Sequence, residues 1–143
     1  MIKLKQLLEK LKLDGFIFSK IPAGDFFMGQ IEEDPFAKEN ETRRHVVITK
    51  SYYMLSTPVT VGQYRKYISE EKIDISYLIE KWDGKDWVVG PYFDEINTAY
   101  NYPVVGVSFY DAINFLNWMS KYYNAIFRLP TEAEFEYAAR SNC

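Results

Sequence analysis

The chain carries one histidine, His45, and one cysteine, Cys143, in 143 residues. A thiol and an imidazole can act as nucleophile, base or metal ligand, but with one of each a Cys/His zinc cluster is excluded, and so is a disulfide within the chain. His45 opens the apolar run His45-Val-Val-Ile-Thr49 with no second soft ligand beside it, so its expected role is structural. Three acids at alternate positions, Glu132, Glu134 and Glu136, could suggest a metal site or an acid pair. Alternate residues on a helix point to different faces, so these three do not converge on one ion. Capping and pairing with Arg128 or Arg140 is the expected use. Glu32, Glu33, Asp34, Glu39 and Glu41 offer oxygen ligands of the kind calcium takes. Calcium is possible there, but their spacing fits no ordered binding loop, and a solvated loop is expected.

Composition narrows the classes further. Seventeen basic and 20 acidic residues give a net charge of −3, which argues against general nucleic-acid binding. Arg43-Arg44-His45 is a compact basic group, expected in a solvated loop. Aromatic residues reach 17% and run through the whole chain, which favours a core of large rings over a ring-lined groove for peptide or sugar. No apolar run approaches the roughly 20 residues of a membrane span. The first 13 residues are broken throughout by charge and lack the apolar core of a signal peptide. A cytoplasmic location is the expectation.

The elements that must position these residues follow from periodicity and capping. Leu4, Leu7, Leu8 and Leu11 share one helix face, stopped by Asp14-Gly15. The face is expected to pack on the chain's own domain, giving an amphipathic helix over 1–14 and a domain over 15–143. Phe16–Ile21 and Phe26–Met28, separated by Pro22-Ala23-Gly24-Asp25, suggest a strand pair. Residues 30–44 suggest a loop, and His45–Thr49 and Tyr52–Met54 two more strands. Three helices begin with a hydroxyl answered three residues on: Thr60 with Gln63, Ser108 with Asp111, and Thr131 with Glu134. Their expected apolar faces are Val61, Tyr64 and Ile68; then Ala112, Phe115, Leu116 and Met119; then Phe135, Ala138 and Ala139. The stretch 72–102, rich in Trp and Tyr without a clear period, suggests a structured loop.

Five segments in order resemble the formylglycine-generating enzyme family, also called the sulfatase-modifying factor family. They are Ile21-Pro-Ala-Gly-Asp-Phe-Phe-Met-Gly29, the strands at 45–49 and 52–54, Thr57-Pro-Val-Thr-Val-Gly-Gln-Tyr64, Pro103-Val-Val-Gly-Val-Ser-Phe-Tyr-Asp-Ala112, and Arg128-Leu-Pro-Thr-Glu-Ala-Glu-Phe-Glu-Tyr-Ala-Ala-Arg140. The residues that carry the signature are Pro22, Gly24, Met28, Gly29, Thr60, Tyr64, Pro103, Val104, Ser108, Asp111, Ala112, Trp118, Arg128, Leu129, Pro130, Thr131, Glu132, Glu134, Glu136, Tyr137 and Arg140. Phe109 and Phe135 stand where the family usually has Trp, and their rings are expected to keep the packing. Leu116 replaces a non-catalytic Cys found in many members.

The resemblance implies an α+β fold like that of C-type lectins, here in its N-terminal part. It also implies a family activity, the oxygen-dependent oxidation of a substrate cysteine to formylglycine with copper held by two enzyme cysteines. Those cysteines belong to a later segment, and Cys143 matches neither. Copper(I) bound by two thiolates cannot be built from one thiol. The expectation is therefore a domain truncated before its copper ligands and inactive alone, with no catalytic or cofactor residue of its own. Two alternatives stay open: a non-catalytic binding module, and one half of an oxidoreductase completed by another chain. Stopping at residue 143 is expected to leave apolar faces uncovered, with Phe115, Met119, Phe135 and Ala138 as candidates. Self-association or a protein partner would then cover them.

Overall fold

The first helix, α1 (Leu4–Leu13), ends in a Schellman motif. Gly15 takes a positive φ of 87°, the Gly15 N–H donates to the Lys12 carbonyl, and the Phe16 N–H donates to the Leu11 carbonyl. Leu11 and Phe16, the two apolar residues of that motif, are both buried. The chain then runs through β1 (Phe18–Ile21), β2 (Gly24–Met28), β3 (Arg44–Ile48), β4 (Tyr52–Leu55), α2 (Val61–Glu71), β5 (Leu78–Trp82), β6 (Trp87–Pro91), α3 (Phe109–Tyr123) and α4 (Glu132–Arg140). The computed structural model describes residues 3–29, 42–74, 78–91 and 100–140. The acids at 32–41 and Cys143 lie outside the described residues. The chain forms two compact units: Met1–Ile17 with Thr57–Leu129, and Phe18–Ser56 with Pro130–Cys143.

The first unit is built on three helices. From α2 it buries Val61, Tyr64, Tyr67 and Ile68, and from α3 Phe115, Trp118, Met119 and Tyr123. The rings interlock: Tyr67 meets Phe115 edge-on at 5.5 Å between centroids, and Phe16 meets Tyr123 edge-on at 6.1 Å. Such pairs add to what their buried area contributes. Polar ends are satisfied at the margin of the core. Tyr123 Oη donates to Asp14 Oδ2 at 2.6 Å, and Trp118 Nε1 donates to Glu70 Oε2 at 3.1 Å. The N-terminal helix packs on its own unit through the end of its leucine face: Leu11 is buried, Leu7 and Leu8 are half-buried, and Leu4 is 52% exposed. Phe115 and Met119, expected to be left uncovered, are 3% and 2% exposed, and the Phe115 ring packs against Tyr64 and Tyr67 of α2.

The stretch 72–102 differs from the loop expected of it. It contains the antiparallel hairpin β5–β6, with Trp82 directly opposite Trp87. Asp83 Oδ1 accepts from the Lys85 and Asp86 N–H groups, both at 2.8 Å, and Gly84 supplies a φ of 104°. An Asp-Gly turn between two large rings was the available signal, hidden because the strands lack clean alternation.

The second unit holds two two-stranded sheets and α4. Strand β1 pairs with β4 and β2 with β3, both antiparallel. The expected pairing of the first two strands with each other does not occur. Pro22-Ala23 has no residue at positive φ, so it cannot form the tight primed turn of a hairpin, and the chain runs on extended into a different sheet. Arg44 lies in β3 instead of a loop, and His45 lies in the strand expected to begin with it. The Arg44 guanidinium reaches Met28 Sδ at 3.7 Å, and the Arg43 guanidinium lies 4.5 Å from the Phe27 ring centroid. Phe135, assigned to the apolar face of α4 and also a candidate to be left uncovered, is 62% exposed, while Ala138 is half-buried. The helix packs through Tyr137, whose ring lies 5.2 Å from that of Phe26. Phe109 is 65% exposed as well, so neither ring at a family Trp position packs in a core. Both occupy the outer side of a first helical turn or two, beside capping residues that must meet water.

Candidate functional site

The signature residues are held by backbone-directed hydrogen bonds, and the densest group lies in the second unit. Glu136 and Arg140 sit one turn apart on α4 and pair at 2.7 Å. Glu136 Oε1 accepts from the Gly29 N–H at 2.9 Å. Arg140 donates through Nη1 to the Phe27 carbonyl at 3.1 Å and through Nη2 to the Gly29 carbonyl. Both polar groups of the Gly29 backbone are therefore gripped by side chains more than a hundred residues away in sequence. Gly29 has a φ of 99°, which lets the chain turn out of β2 at this point. The planar guanidinium fork suits two carbonyls and a carboxylate at once. Tyr52 Oη adds a bond to the Glu134 carbonyl at 2.6 Å.

The other signature residues act as caps and packing. Thr131 and Glu134 answer each other, at 2.8 Å from the Thr131 N–H to Glu134 Oε2 and 3.1 Å from the Glu134 N–H to Thr131 Oγ1. Pro130 precedes them, and Glu132 is exposed in the first turn. In the first unit, Ser108 and Asp111 form the same reciprocal pair at 3.0 and 3.2 Å, and Thr60 and Gln63 at 2.9 and 3.3 Å. Pro103 bridges to Thr60, and the Val104 N–H donates to the Val59 carbonyl. The Val61 and Gly62 N–H groups donate to the Tyr102 and Tyr100 carbonyls. The start of α2 is thus closed by the chain itself and offers no free donors in that turn to an anion. Tyr64, Trp118 and Met28 are buried, and Ala112 and Leu129 are half-buried. Arg128 bonds the neighbouring Leu129 carbonyl, and Pro22 is exposed between β1 and β2. Gly24 lies under Tyr137, where a Cβ would overlap the Tyr137 hydroxyl.

The chemistry-bearing side chains do not converge. His45 Nε2 lies 2.7 Å from Asp25 Oδ2 on the exposed face of β2–β3, with the Phe27 ring 5.2 Å from the imidazole. Among the described residues, no three His, Cys, Asp or Glu side chains group as metal ligands. Sequence reasoning missed Glu70 and Asp14 as partners of Trp118 and Tyr123, because Glu70 lies on α2 and Asp14 at the end of α1, and spacing carries no sign of it.

These elements define an α+β protein whose signature motifs lock strands to helices. The chain matches the sulfatase-modifying factor enzyme 1-like domain over residues 7–142, and it belongs to that family. It is 28% identical to the formylglycine-generating enzyme of Streptomyces coelicolor, across 85% of this chain and 46% of that protein. It is 32% identical to the serine/threonine-protein kinase pkn1 of Chlamydia pneumoniae, across 83% of this chain and 18% of that one. The solved structure of PvdO from Pseudomonas aeruginosa superposes with a TM-score of 0.72 at 24% identity, over 87% of this chain and 47% of that one, which establishes the fold. The chain spans less than half the length of these relatives. The two-cysteine copper site that the family resemblance implies does not fit this stretch, whose donor set includes a single thiol. No helix among the described residues is long and apolar enough to cross a membrane.

Proposed function

We propose that this stretch is the framework portion of a formylglycine-generating-like domain, and that by itself it does not oxidise cysteine. The observation that carries the reading is the use made of Glu136 and Arg140. In the strongest motif in the chain these two charged groups are directed to the Phe27 and Gly29 backbone and to each other. Residues committed to holding a turn are not poised for proton or electron transfer. Copper chemistry of the family type would need a second thiolate from elsewhere.

The test is incubation of the 143-residue chain with copper, reductant and a sulfatase-type cysteine peptide, followed by mass spectrometry. The peptide is expected to keep its thiol. Conversion to the aldehyde at turnover rates would overturn the reading. The family's lectin-like fold supports a binding role as the second reading, and the exposed large side chains Val105, Phe109, Tyr110 and Ile126 of the first unit favour it. Such surfaces would be met by self-association or by a protein partner, and sedimentation of the purified chain over a range of concentrations separates these from a monomer.

A further inference from the structure

The β5–β6 hairpin presents two indoles to solvent at a tip that its own backbone holds in place. Trp82 is 51% exposed and Trp87 71%. Their rings are 6.0 Å apart at 65°, so one edge leans on the other face. That contact staples the hairpin and accounts for their pairing, since a two-stranded hairpin is marginal in water. It does not account for the outward indole surface that remains. Val89, two residues along from Trp87 and on the same side of the strand, is exposed as well.

Between the two tryptophans lie Asp83, Gly84, Lys85 and Asp86, all exposed. Asp83 holds the turn by accepting two N–H groups, and those bonds from Asp86 and Lys85 keep its carboxyl below the usual range. The turn carries two acids against one lysine. Electron-rich ring faces beside carboxylates are complementary to a cation that is also flat and weakly hydrated. A guanidinium stacks on indole and forks to a carboxylate at the same time. The same charge balance disfavours an anionic membrane surface or an acidic partner.

We propose that the hairpin tip, Trp82, Asp83, Asp86 and Trp87, is a docking surface for an arginine-bearing segment of a partner polypeptide. This surface is independent of whether the chain takes part in cysteine oxidation.

Tryptophan emission reports on it directly. The chain has three tryptophans, and Trp118 is 6% exposed in the helical core. Titrating the full chain with the peptide Gly-Arg-Arg-Gly is expected to give saturable quenching that weakens as salt is added. The peptide Gly-Glu-Glu-Gly is expected to give none. Asp86→Asn is expected to weaken binding roughly fivefold, on the scale of one exposed charge-assisted hydrogen bond. Trp87→Ala is expected to abolish it. Asp86→Asn should keep the far-ultraviolet exciton signal of the Trp82–Trp87 pair, which shows that the hairpin is still formed. The proposal is overturned by an absence of saturable quenching, or by equal affinity in Asp86→Asn with that signal intact. It is also overturned if maltohexaose or phosphatidylcholine vesicles bind the tip and the arginine peptide does not.

Discussion

At Gly24 the absent side chain is what allows packing. A Cβ there would overlap the Tyr137 hydroxyl, while the next ring atom, Cζ, would remain at an ordinary 3.4 Å. Gly24→Ala must therefore displace the Tyr137 ring, at a cost of about 1–3 kcal/mol in urea unfolding. Removing the hydroxyl should relieve the overlap, so the double variant with Tyr137→Phe is expected to be more stable than Gly24→Ala alone. A double variant no better than the single one would show that the ring is not the obstacle. Tyr123 makes a different prediction. Burial first, and then its hydrogen bond to Asp14, push its phenol far above the ordinary value of 10.0. Burial, followed by the charges of Glu71 and Asp111, raises Tyr67 too. A group that holds its proton more tightly when folded contributes fully below its unfolded pKa. That contribution is lost as pH rises through the folded value. Stability measured by thermal unfolding should therefore fall as pH climbs above about 10, and Tyr123→Phe should flatten the fall.

Elements were legible where local chemistry fixes them. The three reciprocal caps at Thr60, Ser108 and Thr131 are visible in sequence because each is complete within four residues, and all three form. The stop at Gly15 is equally local. Strand partners were not legible, because β1 and β2 are adjacent in sequence yet pair with strands that begin more than fifteen residues later. The packing side of α4 was also misjudged. Apolar spacing points to Phe135, but the motif uses Tyr137 against the Phe26 ring, and Glu136 and Arg140 on the backbone of Phe27 and Gly29. The long middle stretch hid a hairpin because its turn signal is two residues wide. At α1 the sequence and structure agree at Leu11, which is buried, but not at Leu4, which is 52% exposed. Leu11→Ala should cost about 2–5 kcal/mol, as deletion of a fully buried side chain does. Leu13→Ala, at an 88% exposed position, should change stability by less than about 0.5 kcal/mol in the same experiment.

For the whole molecule, the partition into units means that the last described helix belongs with early strands. Removing residues 130–143 is expected to loosen Phe18–Ser56 while sparing the helical unit. Hydrogen exchange would show this as lost protection in β2 and β3 with α2 and α3 unchanged, and uniform loss across both units would contradict it. The Gly29 clamp also has a bearing on the order of folding. Its donors and acceptors are separated by 107 to 113 positions. On the ribosome, where chain emerges at roughly 5–20 residues per second, β2 and β3 are exposed for several seconds before Arg140 leaves the exit. During that interval their exposed edges depend on pairing with each other alone. Chaperone capture of nascent chains should therefore be concentrated on those strands, and slower translation between codons 50 and 130 should lengthen it.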